Sequence, residues 1–342
     1  MSAPKLSICI ATLNRAAFIG ETLKSIIAQA TDDVEIVVVD GASTDNTTAV
    51  VCSYQQKFPR LNYVRLEAKG GVDRDYDRSV QLAQGEYCWL MSDDDLLKPG
   101  AIQAVLNAID ENYGLIVVNA EVRSSDFSEL IVPGLLPTDR DRIYTPADWE
   151  KLFVDVATFM SFIGCVVIKR ELWNAREREK YYGTEFIHIG VIFSSPLPAR
   201  ARYLACPGIT IRHGNASWSS RYFQIWMFKW PQIVWSFANY SDAAKRKVCP
   251  AVPWQSPKIL TILRAKGAYS TREYENFLQT RLTNPRQRFL ARLIVAMPGC
   301  LVNLPVLIYF SLFRSQQLYG LAEFRSSPFY YKNCLRRLFK LA

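Results

Sequence analysis

The feature that most constrains this chain is a short apolar run that leads directly into three consecutive aspartates. Tyr87–Met91 has the sequence YCWLM, which is typical of a strand buried on both faces of a parallel sheet. Ser92 and Asp93–Asp95 follow at once, and a helical pattern begins at Ala101. The carboxylates are therefore expected where a strand ends, which is the edge at which open α/β sheets bind their ligands.

Three adjacent negative charges repel one another, and a divalent cation would relieve that repulsion. Mg²⁺ and Mn²⁺ prefer oxygen ligands, so Asp93, Asp94 and Asp95 are candidate ligands for either metal, with a substrate diphosphate completing the coordination shell. The alternative is a solvated acidic turn that caps the next helix. An isolated aspartate triplet would favour this alternative, and the rest of the chain decides between the two.

Short apolar runs alternate with helical patterns over the first 120 residues, and the connections between them are short. This alternation predicts an α/β fold with a mostly parallel, doubly wound sheet. No GxGxxG motif follows the first run, so a dehydrogenase-type phosphate loop is not expected. The predicted strands are Lys5–Thr12, Glu35–Asp40, Asn62–Leu66, Tyr87–Met91 and Leu115–Asn119, with two more further along at Gly164–Ile168 and Tyr203–Arg212. The predicted helices include Tyr76–Ala83 and Glu185–Phe193.

Beyond Trp218 the chain becomes rich in aromatic residues and then in basic residues. Ser219–Tyr240 holds three tryptophans and three phenylalanines and is predicted to be helical. It is either a core helix that covers the sheet or a contact for an acceptor or a membrane. We therefore predict a catalytic domain over residues 1–217 and a helical, aromatic-rich C-terminal region over residues 218–342.

An uncharged segment near the C-terminus predicts contact with a membrane. Leu293–Phe313 is close to the roughly 20 residues that a membrane-spanning helix needs. Pro298 and Pro305 argue against a straight span. Basic residues flank the segment and recur in the tail, which favours helices lying in or on an anionic leaflet. The membrane-associating segment is placed at about residues 286–342, and the alternative is a buried helical hairpin.

Overall charge, cysteines and histidines narrow the class of protein further. The 342 residues carry a net charge of +9, which favours an anionic partner such as a nucleotide diphosphate or an acidic membrane surface; no nucleic-acid recognition motif is visible. The eight cysteines are scattered without a CxxC pair, so free thiols in a reducing cytosol are expected. The N-terminus lacks the pattern of a signal peptide. His188 and His213 are the only histidines, so a zinc site is not expected.

Four polar motifs fall at successive predicted strand ends, and they are Thr12–Arg15, Asp40–Asp45, Gly71–Arg74 and Ser92–Asp95. Their order resembles the family 2 glycosyltransferases, which have the GT-A fold. The resemblance is strong over residues 4–120 and weak over about 160–220. Within that family, the stretches GVDRDYDRSVQLAQGEYCWLMSDDD, SFIGCVVIKRELWN and RHGNASW are similar to the abequosyltransferase-like group of O-antigen enzymes.

The resemblance implies a set of residues that bind the nucleotide-sugar donor. Among them, Asp40 would accept a hydrogen bond from the base or the ribose, and Arg74 would face the base or the diphosphate. Ser43 and Asp45 would shape the pocket. The residues implied for donor binding are Thr12, Asn14, Arg15, Asp40, Ser43, Asp45, Asp73, Arg74, Asp93, Asp94 and Arg212.

The resemblance also implies a metal site of the DxD type, formed by Asp93–Asp95 and holding Mn²⁺ or Mg²⁺. The family usually has an acid where this chain has Ser92, so it stays open which carboxylate is the ligand. Arg212, His213 and Asn215 resemble a late motif that closes over the diphosphate in the family. His213 is either a metal or phosphate ligand or merely a loop residue.

A single-displacement transfer needs a base that takes the proton of the acceptor hydroxyl. In the family this base is usually an acid at the start of a helix well downstream, and Gly183–His188 occupies that place. Glu185 is the first candidate, although the customary Glu-Asp pair is absent because Phe186 follows it. His188 is the second, since its unperturbed pKa lies near neutrality. The alternatives are a surface helix cap and a buried structural histidine.

Together these features predict an inverting, metal-dependent glycosyltransferase. It would move a hexosyl or deoxyhexosyl group from a nucleotide-diphosphate donor to a saccharide acceptor, lipid-linked, in bacterial cell-surface polysaccharide or O-antigen synthesis. Its expected location is the cytoplasmic face of the inner membrane, attached through the C-terminus. Two alternatives remain. One is a catalytically degenerate, membrane-attached binding module, and the other is a sugar nucleotidyltransferase, whose glycine-rich, arginine-containing first loop is absent from ATLNRAAF.

Overall fold

The computed structural model describes residues 3–136, 139–215 and 218–340. The chain divides into two compact units. The first runs up to His213 and includes Ser236–Val248, and the second comprises Gly214–Trp235 and the chain from Cys249 onward. Residues 236–248 thus belong to the first unit, whereas the sequence placed them in the C-terminal region. The predicted boundary at residue 217 lies outside the described residues.

The first unit is built on one mixed sheet. Its strands are β1 (Leu6–Thr12), β2 (Val34–Asp40), β3 (Leu61–Arg65), β4 (Tyr87–Met91), β5 (Leu96–Leu97), β6 (Leu115–Arg123), β7 (Leu130–Val132), β8 (Arg142–Tyr144), β9 (Val166–Lys169) and β10 (Ala201–Arg212). Their order is β3-β2-β1-β4-β9-β6-β10-β5, with β7 beside β6 and β8 beside β10. β1 to β4 pair in parallel, as do β6 and β10, and β9 runs antiparallel between β4 and β6. The seven predicted strands are confirmed, and the short strands β5, β7 and β8 were not predicted.

The centre of the sheet explains why the polar motifs meet. Every residue of β1, β2 and β4 is buried, as expected for apolar strands covered on both faces. The parallel register sets Thr12 opposite Asp40 and Ile10 opposite Met91. Polar residues that follow these strands therefore emerge at the same carboxyl edge of the sheet.

Two helices of the first unit start at residues that differ from those predicted. The helices up to residue 213 are α1 (Ile19–Ile27), α2 (Thr47–Gln55), α3 (Val72–Leu82), α4 (Ala101–Asp110), α5 (Trp149–Val156), α6 (Arg170–Asn174) and α7 (Ile187–Phe193). α3 was expected from Tyr76, but Gly71 has a φ of 96° and lets the chain enter the helix at Val72. α7 was expected from Glu185, but that residue has a φ of 70° and precedes the helix.

The second unit packs its helices around aromatic and aliphatic side chains. The helices beyond residue 213 are α8 (Tyr222–Gln224), α9 (Trp230–Ser236), α10 (Asp242–Val248, in the first unit), α11 (Pro257–Lys266), α12 (Thr271–Glu273), α13 (Pro285–Ala296), α14 (Gly299–Phe313), α15 (Leu318–Ser326) and α16 (Tyr331–Lys340). Phe223 and Met227, from the aromatic segment, lie in the core of this unit. Asn303 is buried on α14 and donates to the backbone oxygens of Ala265 and Phe324 at 2.9 and 3.0 Å, which ties three helices together.

The uncharged segment Leu293–Phe313 is divided between two helices. α13 and α14 meet at an angle of 99°, with Pro298 at the break. Within the described ranges, no single helix is long and apolar enough to cross a membrane, and this bent pair meets the criterion only when both helices are taken together.

The expectation that all cysteines are free thiols is corrected by the second unit. Cys300 on α14 and Cys334 on α16 form a disulfide across 34 residues of sequence. A sequence without a CxxC pair does not reveal that α14 and α16 lie side by side. The free cysteines are Cys9, Cys52, Cys88, Cys165, Cys206 and Cys249.

Candidate active site

The loops that follow β1 and β2 are joined to each other by hydrogen bonds. Asn14 has a φ of 55°, and its Oδ1 accepts from the backbone N–H of Thr44 at 2.7 Å. The backbone N–H of Asn14 donates to Ser43 Oγ at 2.8 Å. Asp45 accepts from the backbone N–H of Ala16 at 3.1 Å. Asn14, Ser43 and Asp45 therefore form one wall at the ends of the two strands.

Asp40 is the end of β2 and is completely buried. Its Oδ1 accepts from the backbone N–H of Ser43, and its Oδ2 accepts from the Tyr63 hydroxyl, each at 2.7 Å. The adjacent Thr12 is 3% exposed, and its backbone oxygen accepts from Gly41 N–H at 2.9 Å. The resemblance implied that Asp40 contacts the base or the ribose, and in the structure both of its oxygens hold the loop and β3 in place.

The first two aspartates of the acidic triplet face Arg15. Arg15 Nε lies 3.1 Å from Asp93 Oδ1, and its Nη2 pairs with Asp94 Oδ2. The two carboxylate side chains are 14% and 13% exposed. Burial and the charge of Asp94 raise the pKa of Asp93, although the guanidinium of Arg15 opposes this rise. The structure therefore gathers two carboxylates and one guanidinium at the edge of the sheet.

Asp95 differs from its two neighbours because both of its oxygens accept hydrogen bonds within the fold. Ser92 Oγ donates to Oδ2, and the backbone N–H of Arg212 donates to Oδ1 at 2.8 Å. Asp95 is 3% exposed, and burial together with the charge of Asp94 raises its pKa. Of the triplet, Asp93 and Asp94 are the carboxylates that a ligand can reach.

The donor set at this edge fits a cation whose shell the substrate completes. Mg²⁺ is typically bound through one or two carboxylates together with phosphate oxygens and water, and Asp93 and Asp94 supply two adjacent carboxylates. In the part of the chain that the structure describes, no group of three or more histidine, cysteine or acidic side chains could hold a metal by itself. A metal at this site would therefore depend on oxygens of the donor.

Arg212 lies next to the acidic triplet at the end of β10. Its Nε donates to the backbone oxygen of Asp94 at 3.2 Å, and its Nη2 pairs with Glu21. The guanidinium also stacks 4.1 Å from the centre of the Phe127 ring. The residue that the resemblance placed over the diphosphate is thus held beside Asp93–Asp95.

A buried aspartate on α3 holds the segment that carries the first candidate base. Asp73 Oδ2 accepts from the backbone N–H of Glu185 at 2.8 Å, and Oδ1 accepts from the backbone N–H of Ile187 at 3.1 Å. Asp73 is 3% exposed, and burial raises its pKa although both hydrogen bonds favour the charged form. The resemblance implied a nucleotide contact for Asp73, whereas its carboxylate faces residues 185–187 and positions Glu185.

His188, the second candidate base, lies inside the first unit. It is 2% exposed, and its Nε2 donates to the backbone oxygen of Met160 at 2.7 Å. Burial lowers the pKa of His188 to about 4, so the imidazole is neutral at pH 7. Its Nδ1 has no hydrogen-bond partner among the described residues. This geometry favours Glu185 of the two candidates.

Two other candidates lie at the margin of the site. Arg74 is exposed in the first turn of α3, and its guanidinium lies 4.4 Å from the centre of the Tyr182 ring. His213 is half-buried directly after β10, and its backbone N–H donates to the Arg123 oxygen at 2.9 Å. Neither position tests the ligand role that the resemblance implied, so both roles remain predictions.

Two buried aspartates on α3 were missed by sequence reasoning. Asp77 accepts from Trp173 Nε1 at 2.9 Å and from the Tyr182 hydroxyl at 2.6 Å, and Asp75 lies against Gly41. The available signal was the spacing in GVDRDYD, because acids at every second position of a helix cannot all lie on its exposed side. That signal is visible only when α3 is known to begin at Val72.

Solved structures similar to this chain establish its fold. Staphylococcus aureus TarS, residues 1–349, superposes with a TM-score of 0.55 at 15% identity, covering 93% of this chain and 89% of TarS. The mannosyltransferase PcManGT from Pyrobaculum calidifontis, in complex with GDP-Man and Mn²⁺, superposes with a TM-score of 0.53 at 18% identity, covering 98% of this chain and 88% of that one. Identities this low show the fold alone, and the predicted GT-A fold class is confirmed.

Similar sequences relate the first part of this chain to known glycosyltransferases. Abequosyltransferase RfbV from Salmonella typhimurium is 28% identical over 232 residues, which are 63% of this chain and 69% of the relative. The GalNAc(5)-diNAcBac-PP-undecaprenol beta-1,3-glucosyltransferase of Campylobacter jejuni is 30% identical over 185 residues, which are 53% of this chain and 57% of that relative. The family model for glycosyl transferase family 2 matches residues 7–171. Residues 7–171, just under half of the chain, thus match the family 2 glycosyltransferases.

Proposed function

We propose that this glycosyltransferase moves a sugar from a nucleoside-diphosphate donor to a lipid-linked saccharide in O-antigen or related cell-surface polysaccharide synthesis, with inversion at the transferred carbon. Similar proteins support the substrate classes: TarS has been crystallised with UDP-GlcNAc, and the Campylobacter relative is named for an acceptor that carries diphosphate and undecaprenol. The observation that carries the proposal is the meeting of Asp93, Asp94 and Arg15 with the loops after β1 and β2 at one sheet edge.

The leaving diphosphate must be stabilised as the glycosidic bond breaks, because negative charge builds up on it. Arg15 and Arg212 lie beside the acidic triplet, so their guanidinium groups are placed to neutralise this charge. Mn²⁺ or Mg²⁺ bound by Asp93 and Asp94 would add further positive charge at the diphosphate. Arg15 would exchange its contacts with these carboxylates for contacts with the donor as the cation enters.

Glu185 is the base in this proposal and takes the proton of the attacking acceptor hydroxyl. Asp73 fixes its backbone N–H, and the φ of 70° sets the direction in which its side chain leaves the chain. Left-handed backbone costs about 1–2 kcal/mol for a residue other than glycine. Strained residues of this kind cluster at functional sites, where the surrounding structure holds them.

The loops after β1 and β2 form the nucleoside side of the site in this proposal. Thr12 and Asn14 lie at the strand end, and the hydrogen bonds among Asn14, Ser43 and Asp45 fix the shape of the wall. In this proposal Arg74, which is exposed at the start of α3, contacts the diphosphate. Asp40 acts by holding this wall through Ser43.

The second unit supports attachment to the cytoplasmic leaflet of a membrane. Large apolar side chains recur every three to four residues along one face of α14, at Leu301, Leu304, Ile308 and Leu312, which are 71%, 42%, 50% and 68% exposed. The arginines that flank the segment in sequence, at positions 286, 292 and 314, are exposed as well. Each arginine near an anionic leaflet contributes about 1 kcal/mol of binding. The bend between α13 and α14 suits helices that lie in the interface.

Donor cleavage by the purified full-length protein tests the proposed reaction. UDP-, CDP-, dTDP- and GDP-sugars would be incubated with and without Mn²⁺, and the released nucleotide would be measured. We expect cleavage of one donor that depends on Mn²⁺, and a loss of at least about tenfold in Asp94→Asn. Glu67→Gln, which removes an exposed charge elsewhere, is the control.

Two results would contradict this account. Donor cleavage at the full rate in the presence of EDTA would exclude a requirement for a divalent cation. Binding of a nucleotide without cleavage or transfer under any condition would favour the catalytically degenerate binding module.

A further inference from the structure

Asp75 is a buried carboxylate for which the first unit supplies too few hydrogen-bond donors. It is 4% exposed, and its Oδ1 has no partner in the described ranges of the chain. The neighbouring buried acids are satisfied: Asp40 accepts from a backbone amide and a tyrosine hydroxyl, Asp73 from two backbone amides, and Asp77 from an indole and a tyrosine hydroxyl. Because buried acceptors are rarely left without a donor, the donor for Asp75 is expected to come from a ligand.

The carboxylate of Asp75 lies where the loops after β1 and β2 meet. A Cβ atom added to Gly41 would lie only 2.7 Å from Asp75 Oδ2 and 3.7 Å from the Thr12 backbone oxygen. A Cβ atom added to Gly70 would lie 3.3 Å from Asp75 Oδ1. The absence of side chains at both glycines therefore leaves room for the carboxylate at the nucleoside side of the proposed site.

The charges around Asp75 decide which part of a donor can lie there. Burial and the carboxylates of Asp40 and Asp73 raise the pKa of Asp75 to about 6, and the charge of Lys69 opposes them. A phosphate would be repelled by this acidic corner, and the diphosphate belongs with the arginines beside the acidic triplet. The nucleoside is uncharged and carries hydrogen-bond donors, so it fits the corner.

We propose that Asp75 determines nucleobase specificity by accepting a hydrogen bond from a ring or exocyclic N–H of the donor base. This inference deepens the proposed function and rests on it. An acceptor at this position favours a base with an N–H there and disfavours a base with a lone pair, which would leave the buried carboxylate unpaired. A hydrogen bond to a charged group is worth about tenfold to hundredfold in affinity.

Binding of nucleoside diphosphates by wild type, Asp75→Asn and Asp75→Ala tests this proposal. Calorimetric titrations would use UDP, CDP, dTDP and GDP with Mn²⁺, and Mn²⁺ with inorganic pyrophosphate as a probe of the diphosphate side alone. We expect the Kd of the preferred nucleotide to rise about 10- to 100-fold in both variants, and the Kd of pyrophosphate to change less than about twofold. Glu67→Gln, an exposed acid nearby in sequence, should bind like wild type. Thermal melts establish that each variant is folded.

The remaining outcomes distinguish a failure of the role inferred for Asp75 from a failure of the proposed function. The role of Asp75 is refuted if Asp75→Asn binds the preferred nucleotide with a Kd within twofold of wild type. It is also refuted if the substitution raises the Kd of pyrophosphate by the same factor as that of the nucleotide. In both cases the proposed donor class stands. If removing the 2′-hydroxyl of the nucleotide weakens wild type and abolishes the difference between wild type and Asp75→Asn, the contact is to the ribose and the base is excluded. If wild type binds no nucleoside diphosphate, the donor class itself fails and the inference fails with it.

Discussion

The carboxyl edge of the first unit and the exposed face of α14 in the second unit break the usual distribution of polarity in opposite ways. At the sheet edge, Asp73, Asp75 and Asp95 are buried carboxylates, and burial raises the pKa of each. On α14, Leu301 and Leu312 are about 70% exposed. Folded proteins usually expose their carboxylates and bury their large apolar side chains, and exceptions to these two rules concentrate at functional sites. We propose that a nucleotide and a cation complete the first region and that lipid covers the second.

The largest expected effect belongs to the chemical step at the sheet edge. Glu185→Gln keeps the size of the side chain and removes its ability to take a proton. We expect kcat for transfer to fall about 10²- to 10⁴-fold, with the donor Kd unchanged, because proton transfer contributes at this scale. Single-turnover transfer and donor titration measure the two quantities. Transfer at the wild-type rate would move the base to another residue.

Asp73→Asn tests whether Asp73 positions the proposed base, Glu185. The substitution removes the charge that accepts from Glu185 and Ile187 N–H. We expect kcat to fall about 10²-fold from misplacement of Glu185, with the donor Kd changing less than about threefold. A rise in donor Kd with kcat unchanged would instead support the direct contact between Asp73 and the nucleotide that the resemblance implied.

The apolar face of the second unit is tested by replacing Leu301, Leu312 and Phe313 with serine. These side chains are 71%, 68% and 71% exposed, so the fold should lose little stability. We expect the partition coefficient onto anionic vesicles to fall at least about tenfold, because burial of each such side chain contributes about 1.5–3 kcal/mol. Flotation with vesicles measures the bound fraction.

A matched control for this variant lies in the first unit. Leu130 and Ile143 are 50% and 53% exposed, and replacing both with serine should leave vesicle binding unchanged. Equal loss in the two variants would show that general hydrophobicity, and not the α14 face, determines binding.

The smallest effect is on stability and depends on pH. The folded pKa of Asp75, raised to about 6, lies above its unfolded value, so its contribution to stability is fully present below about pH 4 and is lost as the pH rises through 6. Asp75→Asn removes this loss. We expect the variant without ligand to gain about 1–2 kcal/mol of unfolding free energy at pH 8 and none at pH 4. Denaturant titrations at both pH values measure it, and a pH-independent difference would contradict the assignment.

Much of the first unit was predictable because its strands are continuous apolar runs and its polar motifs sit directly after them. The register of β1, β2 and β4 then brings the motifs together, as parallel pairing requires. The roles within the motifs were less predictable. Whether an acid such as Asp40 or Asp73 faces a ligand or a backbone amide depends on loop geometry, and a string of residue types does not encode it directly.

The second unit was predictable in composition but not in shape. The uncharged segment and the absence of a straight span were predicted from the sequence, but the angle of 99° and the pairing of Cys300 with Cys334 depend on how α14 packs against α11, α15 and α16. Such contacts join residues far apart in sequence. The same reason explains why the sequence left the burial of His188, which lies beside Met160, as one of two open alternatives.

The most direct test of the central claim is a thermal-shift titration of the full-length protein with UDP, CDP, dTDP and GDP, each with and without Mn²⁺. A ligand that binds only the folded state raises the apparent Tm by mass action. This account predicts a rise with one diphosphate that requires Mn²⁺ and disappears in Asp94→Asn. No rise with any nucleotide, or an equal rise in Asp94→Asn, would contradict the claim that this sheet edge binds a nucleoside diphosphate through a cation.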